Sequence, residues 1–162
     1  MLQQFSSKIN ARILGLTLVR INIGVMFLIA AYAKLIAGDG WPGRMVGFLN
    51  FQAEKSFGFY RDFITSVVVP NKEAFGYMVA YGELFVGLSL LLGLTTRWGA
   101  MVGVFLVSNF IMAKGVFFWT PSSNDAMYIL ALLALLFVNN KDMLGLDNLA
   151  VKKWPILTKV WI

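Results

Sequence analysis

The chain contains no cysteine and no histidine. Disulfides, thiol catalysis, iron–sulfur ligation by thiolates and a bis-histidine haem are therefore excluded. The usual imidazole ligands of zinc, copper and iron are missing too, so no metal or haem bound by this chain is expected. Redox chemistry here would need a diffusible cofactor or one held by a partner. Charge is also scarce. Asp, Glu, Lys and Arg make up 14% of the residues, against roughly a quarter in soluble domains. There is no internal repeat and no low-complexity tract. No basic groove interleaved with aromatics is present, so no nucleic-acid partner is expected.

Most of the chain is apolar. Of 162 residues, 59% are hydrophobic, and the mean hydropathy is +0.73. That balance reads as an all-α integral membrane protein, a four-helix bundle forming a single domain over residues 1–162, with no room for a large soluble domain. The expected spans are about 13–36, 74–94, 98–118 and 122–138. The fourth starts at Ser122 or Ser123 as N-cap and stops at Asn139 and Asn140. Gly99 and Gly103, four residues apart, and Gly82 or Glu83 with Gly87, suggest close helix packing.

The loops set an expected orientation. Lys8 and Arg12 precede the first span, and Lys141, Lys152, Lys153 and Lys159 follow the last. Thr95, Thr96 and Arg97 form a tight basic turn between the second and third spans. By the positive-inside rule, the N-terminus, this turn and the C-terminus are cytoplasmic. Membrane lipids are thus expected partners, with the basic ends near anionic headgroups. Lys8, Arg12 and the small-x-small triplet Ala31-Tyr32-Ala33 also resemble a cleaved signal peptide, but Arg20 interrupts the apolar region and the region is long.

The outer segment between the first two spans is not an ordinary loop. It opens on a breaker cluster, Gly38-Asp39-Gly40-Trp41-Pro42-Gly43. An amphipathic stretch of about 44–69 follows, ended by Pro70. Phe48, Phe51, Phe59 and Phe63 are expected on one face of a helix broken near Gly58, with Lys55, Arg61 and Asp62 pointing elsewhere. Two readings stand: a helix lying at the interface, and a lid or re-entrant segment over a site between the spans.

Five charges lie inside the apolar stretches: Arg20, Lys34, Glu83, Lys114 and Asp125. Each costs at least ~3 kcal/mol near the bilayer centre unless it is paired, wet or ligand-bound. Arg20, Gly24, Phe27, Ala31 and Lys34 share a heptad-like stripe, and so do Glu83, Gly87, Leu90, Leu94 and Arg97. Each stripe presents a charge followed one turn later by glycine, which draws a neighbouring helix close and turns the charge inward. Depth follows from a rise of ~1.5 Å per residue. Glu83 falls near the midplane, Arg20 on its cytoplasmic side, and Lys34 roughly 15 Å outward. Lys114 and Asp125 fall at matching depths. The expected pairs are Arg20–Glu83 and Lys114–Asp125, with Lys34 near the outer mouth and Asn109 serving another helix contact. Interhelix clamps are the plainer reading of such pairs. Trp41, Trp98, Trp119 and Tyr77 read as interfacial belt residues.

At these residues the chain resembles the DoxX family of small four-span membrane proteins. One signature is similar to Arg20-Ile-Asn-Ile-Gly24-Val-Met-Phe27-Leu-Ile-Ala-Ala31-Tyr-Ala-Lys34-Leu. The other is similar to Tyr81-Gly-Glu83-Leu-Phe-Val-Gly87-Leu-Ser-Leu-Leu-Leu-Gly93-Leu-Thr-Thr-Arg97. The resemblance runs from about Val19 to Phe137. It implies a four-helix bundle, multi-pass, in a bacterial or archaeal cytoplasmic membrane. It also implies kinship with the DoxD subunit of thiosulfate:quinone oxidoreductase, although other members are linked to oxidative-stress complexes or have no assigned activity. The long aromatic outer segment departs from the most compact members.

The leading expectation is a redox-associated subunit that binds a quinone-type lipid, with other membrane or peripheral redox subunits as partners. The candidate catalytic residues are Glu83, Arg20 and Asp125, the two carboxylates as proton carriers. The candidate cofactor- or substrate-binding residues are Lys34, Lys114 and Arg20. The alternatives are a non-catalytic accessory or scaffold subunit of a larger membrane complex, and a small-molecule or lipid transporter. The transporter ranks last because inverted repeats are lacking.

Overall fold

A computed structural model describes residues 11–121, 123–138 and 144–147. Lys8, Lys141, Lys152, Lys153 and Lys159, the side chain of Arg12, and Ser122, Asn139 and Asn140 lie outside the described residues. Within them the chain is all-helical, with no strand: α1 (Ala11–Ile36), α2 (Gly40–Gln52), α3 (Gly58–Phe63), a π-helical turn (Ile64–Val68), α4 (Lys72–Leu92), α5 (Thr96–Lys114) and α6 (Asp125–Phe137).

Three helices, α1, α4 and α5, are long and apolar enough to cross a membrane. α6 is apolar but has only 13 residues, a length of about 20 Å against the ~30 Å of a hydrocarbon core. Boundaries differ from expectation where glycine or a side chain stops the helix. α4 ends on Gly93 at φ 60° and α5 on Gly115 at φ 62°, left-handed positions that favour glycine. The expected third span therefore stops short of 118. α6 starts at Asp125 because Ser123 Oγ accepts the Asp125 amide and donates to its carboxylate, which fixes a turn ahead of the helix. Helix α2 starts earlier than expected, inside the breaker cluster. Pro42 falls in its first turn, where a missing N–H costs nothing.

The core joins four helices: Ile23 and Phe27 of α1, Val86 and Leu90 of α4, Leu106 and Val107 of α5, and Ile129, Leu132 and Leu135 of α6. Small residues set the helix distances. A Cβ at Gly24 would lie 2.7 Å from the Leu91 nitrogen, and one at Gly87 would lie 2.6 Å from Leu28 Cγ. α1 and α4 thus touch backbone to backbone. A Cβ at Gly99 would meet Ser89, and one at Gly103 would meet Leu132. Leu18, Ile29, Met78, Met101 and Phe105 remain exposed on the outer faces of the three long helices. Helices apolar on both faces suit a lipid surround.

The segment between α1 and α4 carries its own small core. Met45, Leu49, Ile64 and Val68 are buried with Ala113 of α5, and Trp41, Tyr60 and Phe75 pack around them. The chain breaks between α2 and α3 at residues 53–57, as expected near Gly58. There the Lys55 carbonyl packs onto Gly115 at the end of α5.

Candidate functional site

The expected stripe on α1 is real. Arg20, Gly24, Phe27 and Ala31 are buried, and Lys34 is largely so. On α4, Glu83, Gly87 and Leu90 are buried likewise. The charges point into the bundle, but their partners differ from expectation.

Glu83 pairs with Lys34. The Lys34 Nζ lies 2.6 and 2.8 Å from the two carboxylate oxygens. Glu83 is 3% exposed and Lys34 16%. The ammonium makes a further, longer contact of 3.4 Å to the Ala30 carbonyl. The Trp41 ring centroid lies 4.9 Å from the same ammonium, in cation–π range. The indole N–H of Trp41 donates to the Gly76 carbonyl at 3.0 Å, and a Cβ at Gly76 would lie 3.0 Å from Pro42 Cγ. The start of α2 is therefore seated on α4 with Trp41 over the ion pair. Lys34, expected near the outer mouth, turns inward to Glu83, and Trp41 does more than sit in an interfacial belt. Nothing in the linear spacing signals that the chain folds back there, although a tryptophan one turn after the Gly38 break was the available hint. Tyr77, also expected only as a belt residue, donates its hydroxyl to Asp39 Oδ1 at 2.6 Å.

The Arg20–Glu83 pair does not form. Because α1 and α4 run antiparallel with Gly24 against Gly87 and Leu91, Arg20 reaches Gly93. Gly93 lies ten residues beyond Glu83, about 15 Å along the helix. The Arg20 guanidinium donates to the Leu144 carbonyl and feels the charge of Asp147. Asp147 in turn accepts from the Thr95 and Thr96 amides at 2.8 and 3.2 Å, closing the first turn of α5 where Thr95 sits at φ 57°. The Asp147 amide donates to the Gly93 carbonyl at 2.7 Å, and the Leu144 amide donates to Thr17 Oγ1 at 3.1 Å. Residues 144–147 therefore fasten α1 to the α4–α5 turn. Arg20 belongs to that fastening and stands apart from the Lys34–Glu83 pair. Sequence reasoning missed Asp147, which lies outside every apolar stretch.

The second expected pair is present. Lys114 Nζ lies 3.0 and 2.8 Å from the two Asp125 oxygens, and Ser123 Oγ donates to the same carboxylate at 2.6 Å. It bridges the end of α5 to the start of α6. Asn109 serves another contact, as expected: its Oδ1 accepts the Tyr60 hydroxyl at 2.7 Å, while its amide donates to the Phe105 carbonyl. Burial pushes the Tyr60 phenol above its ordinary value. Among the described residues, no group of His, Cys, Asp or Glu is placed to hold a metal ion.

The chain is thus a helical protein with inward charges on two glycine-packed helices. The DoxX family model matches residues 15–118, which takes in α1 to α5 with Arg20, Lys34, Glu83 and Lys114, and the chain belongs to the DoxX family. No curated protein and no solved structure matches it. Together with three helices long and apolar enough to cross a bilayer, family membership points to a membrane protein.

Proposed function

We propose that the protein is a four-span subunit of a bacterial or archaeal cytoplasmic membrane that binds a quinone-type lipid beside the Lys34–Glu83 pair, as in thiosulfate:quinone oxidoreductases. In this reading α6 is the fourth span, residues 1–162 form one domain, and both termini and the α4–α5 turn are cytoplasmic.

The observation that carries the reading is the ion pair capped by Trp41. A lysine ammonium has three N–H donors. Two are committed to Glu83, and the third makes only the long contact to Ala30. A donor therefore remains for a quinone oxygen, next to a flat indole face and apolar helix walls. A bound quinone supplies acceptance of electrons and protons. Lys34 would fix the ring oxygen and offset negative charge on it. Glu83 sits within proton-transfer reach of the same ammonium. Asp125 and Lys114 form a separate polar pair that serves as the outer relay or donor-binding point. Electrons must come from a partner subunit or directly from a reductant such as thiosulfate, since the chain has no cysteine or histidine to store them.

Lipid mass spectrometry of the purified protein tests the reading, followed by thiosulfate-dependent quinone reduction. Quinone is expected with the wild type and with Arg20→Gln, and is expected to be lost with Lys34→Met and Glu83→Gln. Absence of both bound quinone and activity in the wild type overturns the proposal. A second reading, an accessory subunit without catalysis, draws on the fact that both ion pairs bridge helices as clamps would. Tight co-purification with a partner and no small molecule would favour it.

A further inference from the structure

We infer that α2 and α3 form a collar embedded in the lipid headgroup layer, on the leaflet opposite the α4–α5 turn, with their phenylalanines in the acyl boundary.

The level of the collar is set by what it touches. Trp41 is bonded to Gly76 in the second turn of α4, and the Lys55 carbonyl rests on Gly115 at the end of α5. Ala113 and Phe75 complete the small core beneath it. The beginning of one long apolar helix and the end of another thus lie at the same height as the collar. The ends of spans are where hydrocarbon gives way to headgroups.

The distribution of side chains fits an interface and neither alternative. α3 has three faces. Tyr60, with Ile64 next in the π turn, turns toward the protein. Phe59 and Phe63 are exposed, and so are Arg61 and Asp62. A lid standing in water would need two faces, one apolar and buried, one polar. A segment plunging into hydrocarbon would not carry Glu54, Lys55, Arg61 and Asp62 within nine residues, all exposed. α2 repeats the arrangement. Met45 and Leu49 are buried, while Arg44, Phe48 and Phe51 share an exposed face. The Lys55 ammonium lies 5.8 Å from the Phe51 ring centroid. Phe51 and Phe59 are 74% and 70% exposed, and such rings flanked by cations are the pattern of an interfacial helix.

The aromatic surface is also continuous with the spans. Phe57 contacts Phe117 beyond α5 and Phe59 on α3. Exposed apolar side chains thus run from the long helices through Phe117 onto the collar, which is why lipid, and not a protein partner, is the assigned occupant.

The native chain has no cysteine, so single spin labels can be placed without background. Phe51→Cys, Phe59→Cys, Arg61→Cys and Asp62→Cys, with Phe105→Cys as a span control, are labelled on the full chain in phosphatidylcholine–phosphatidylglycerol vesicles. All five native side chains are exposed; Phe59→Cys gives up ring contacts to Phe57 and Tyr60, so its circular dichroism is matched to the wild type before the label is read. Labels at 51 and 59 are expected to collide several-fold more often with oxygen than with a water-soluble nickel chelate, like the label at 105. Labels at 61 and 62 are expected to show the reverse. Chelate access at all four collar sites would mean a lid in water. Oxygen access with chelate exclusion at all four would mean a re-entrant segment. Exclusion of both reagents at 51 and 59 would mean a protein contact. Each of these three outcomes overturns the proposal.

Discussion

The ammonium of Lys34 and the carboxylate of Glu83, 49 residues apart, meet at 2.6 Å between α1 and α4. Each group leaves the other uncompensated if removed. Lys34→Met or Glu83→Gln alone is expected to destabilise the folded protein by roughly 3–5 kcal/mol, whereas Lys34→Met with Glu83→Met is expected to recover most of the loss. Denaturant titration in detergent micelles measures the difference. Equal losses in the singles and the double would show that the pair contributes through packing alone.

The glycine contact predicts a second asymmetry. Gly24→Ala and Gly87→Ala place a methyl within 2.7 Å and 2.6 Å of the facing helix. Overpacking of this kind costs about 1–3 kcal/mol. Gly15→Ala, inside α1 with nothing within 4 Å, is expected to cost nothing and to gain up to about 1 kcal/mol in helix propensity. Thermal unfolding of the three variants side by side checks this, and tolerance at Gly24 would mean the two helices are not in backbone contact.

These two positions also show how far the sequence could be read. Periodicity alone identified which face of α1 and α4 turns inward, because a stripe needs only the residue spacing. It also found Lys114–Asp125, where a short connection leaves little freedom. It failed on Arg20–Glu83. The depth estimate placed the middle of each apolar stretch at the same height, and apolar stretches do not state how far one helix slides along another. The Gly24–Gly87 approach sets that slide, moving Lys34 opposite Glu83 and Arg20 opposite Gly93. Trp41 and Asp147 were illegible for a related reason. Each acts after the chain has doubled back; the breaker cluster at Gly38 marks a turn, but residue spacing does not state where the returning chain lands.

Asp147 supplies a third prediction. Its carboxylate accepts the Thr95 and Thr96 amides. Asp147→Ala leaves both without that acceptor, at a cost of about 1–3 kcal/mol. Their hydrogen exchange is expected to rise sharply, with a smaller rise in Asp147→Asn, which keeps one carbonyl oxygen. Exchange unchanged at both amides would mean the α5 start is held by other groups.

Tyr60 gives a pH dependence. Burial raises its pKa above the ordinary value of 10.0, so the folded state favours the protonated phenol. The contribution of the Tyr60–Asn109 bond is complete below the unfolded value and is lost as pH rises through the folded one. Wild-type stability is expected to be flat with respect to this group up to neutral pH and to fall above about pH 10. Tyr60→Phe should be weaker by about 1 kcal/mol at neutral pH and lack that alkaline decline. Tyrosinate absorbance against pH, compared between the two proteins, follows it.

Phe117, Phe57, Phe59, Tyr60, Phe63 and Phe75 touch in succession, with neighbouring ring centroids 5.6 to 6.3 Å apart. The row runs from the exit of α5 to the entry of α4. At the far end the same two helices are bolted through residue 147. The α4–α5 pair is thus braced at top and bottom. Residues 144–147 also tie α1 to the far end through Arg20 and Thr17, so three helices are held together at one level.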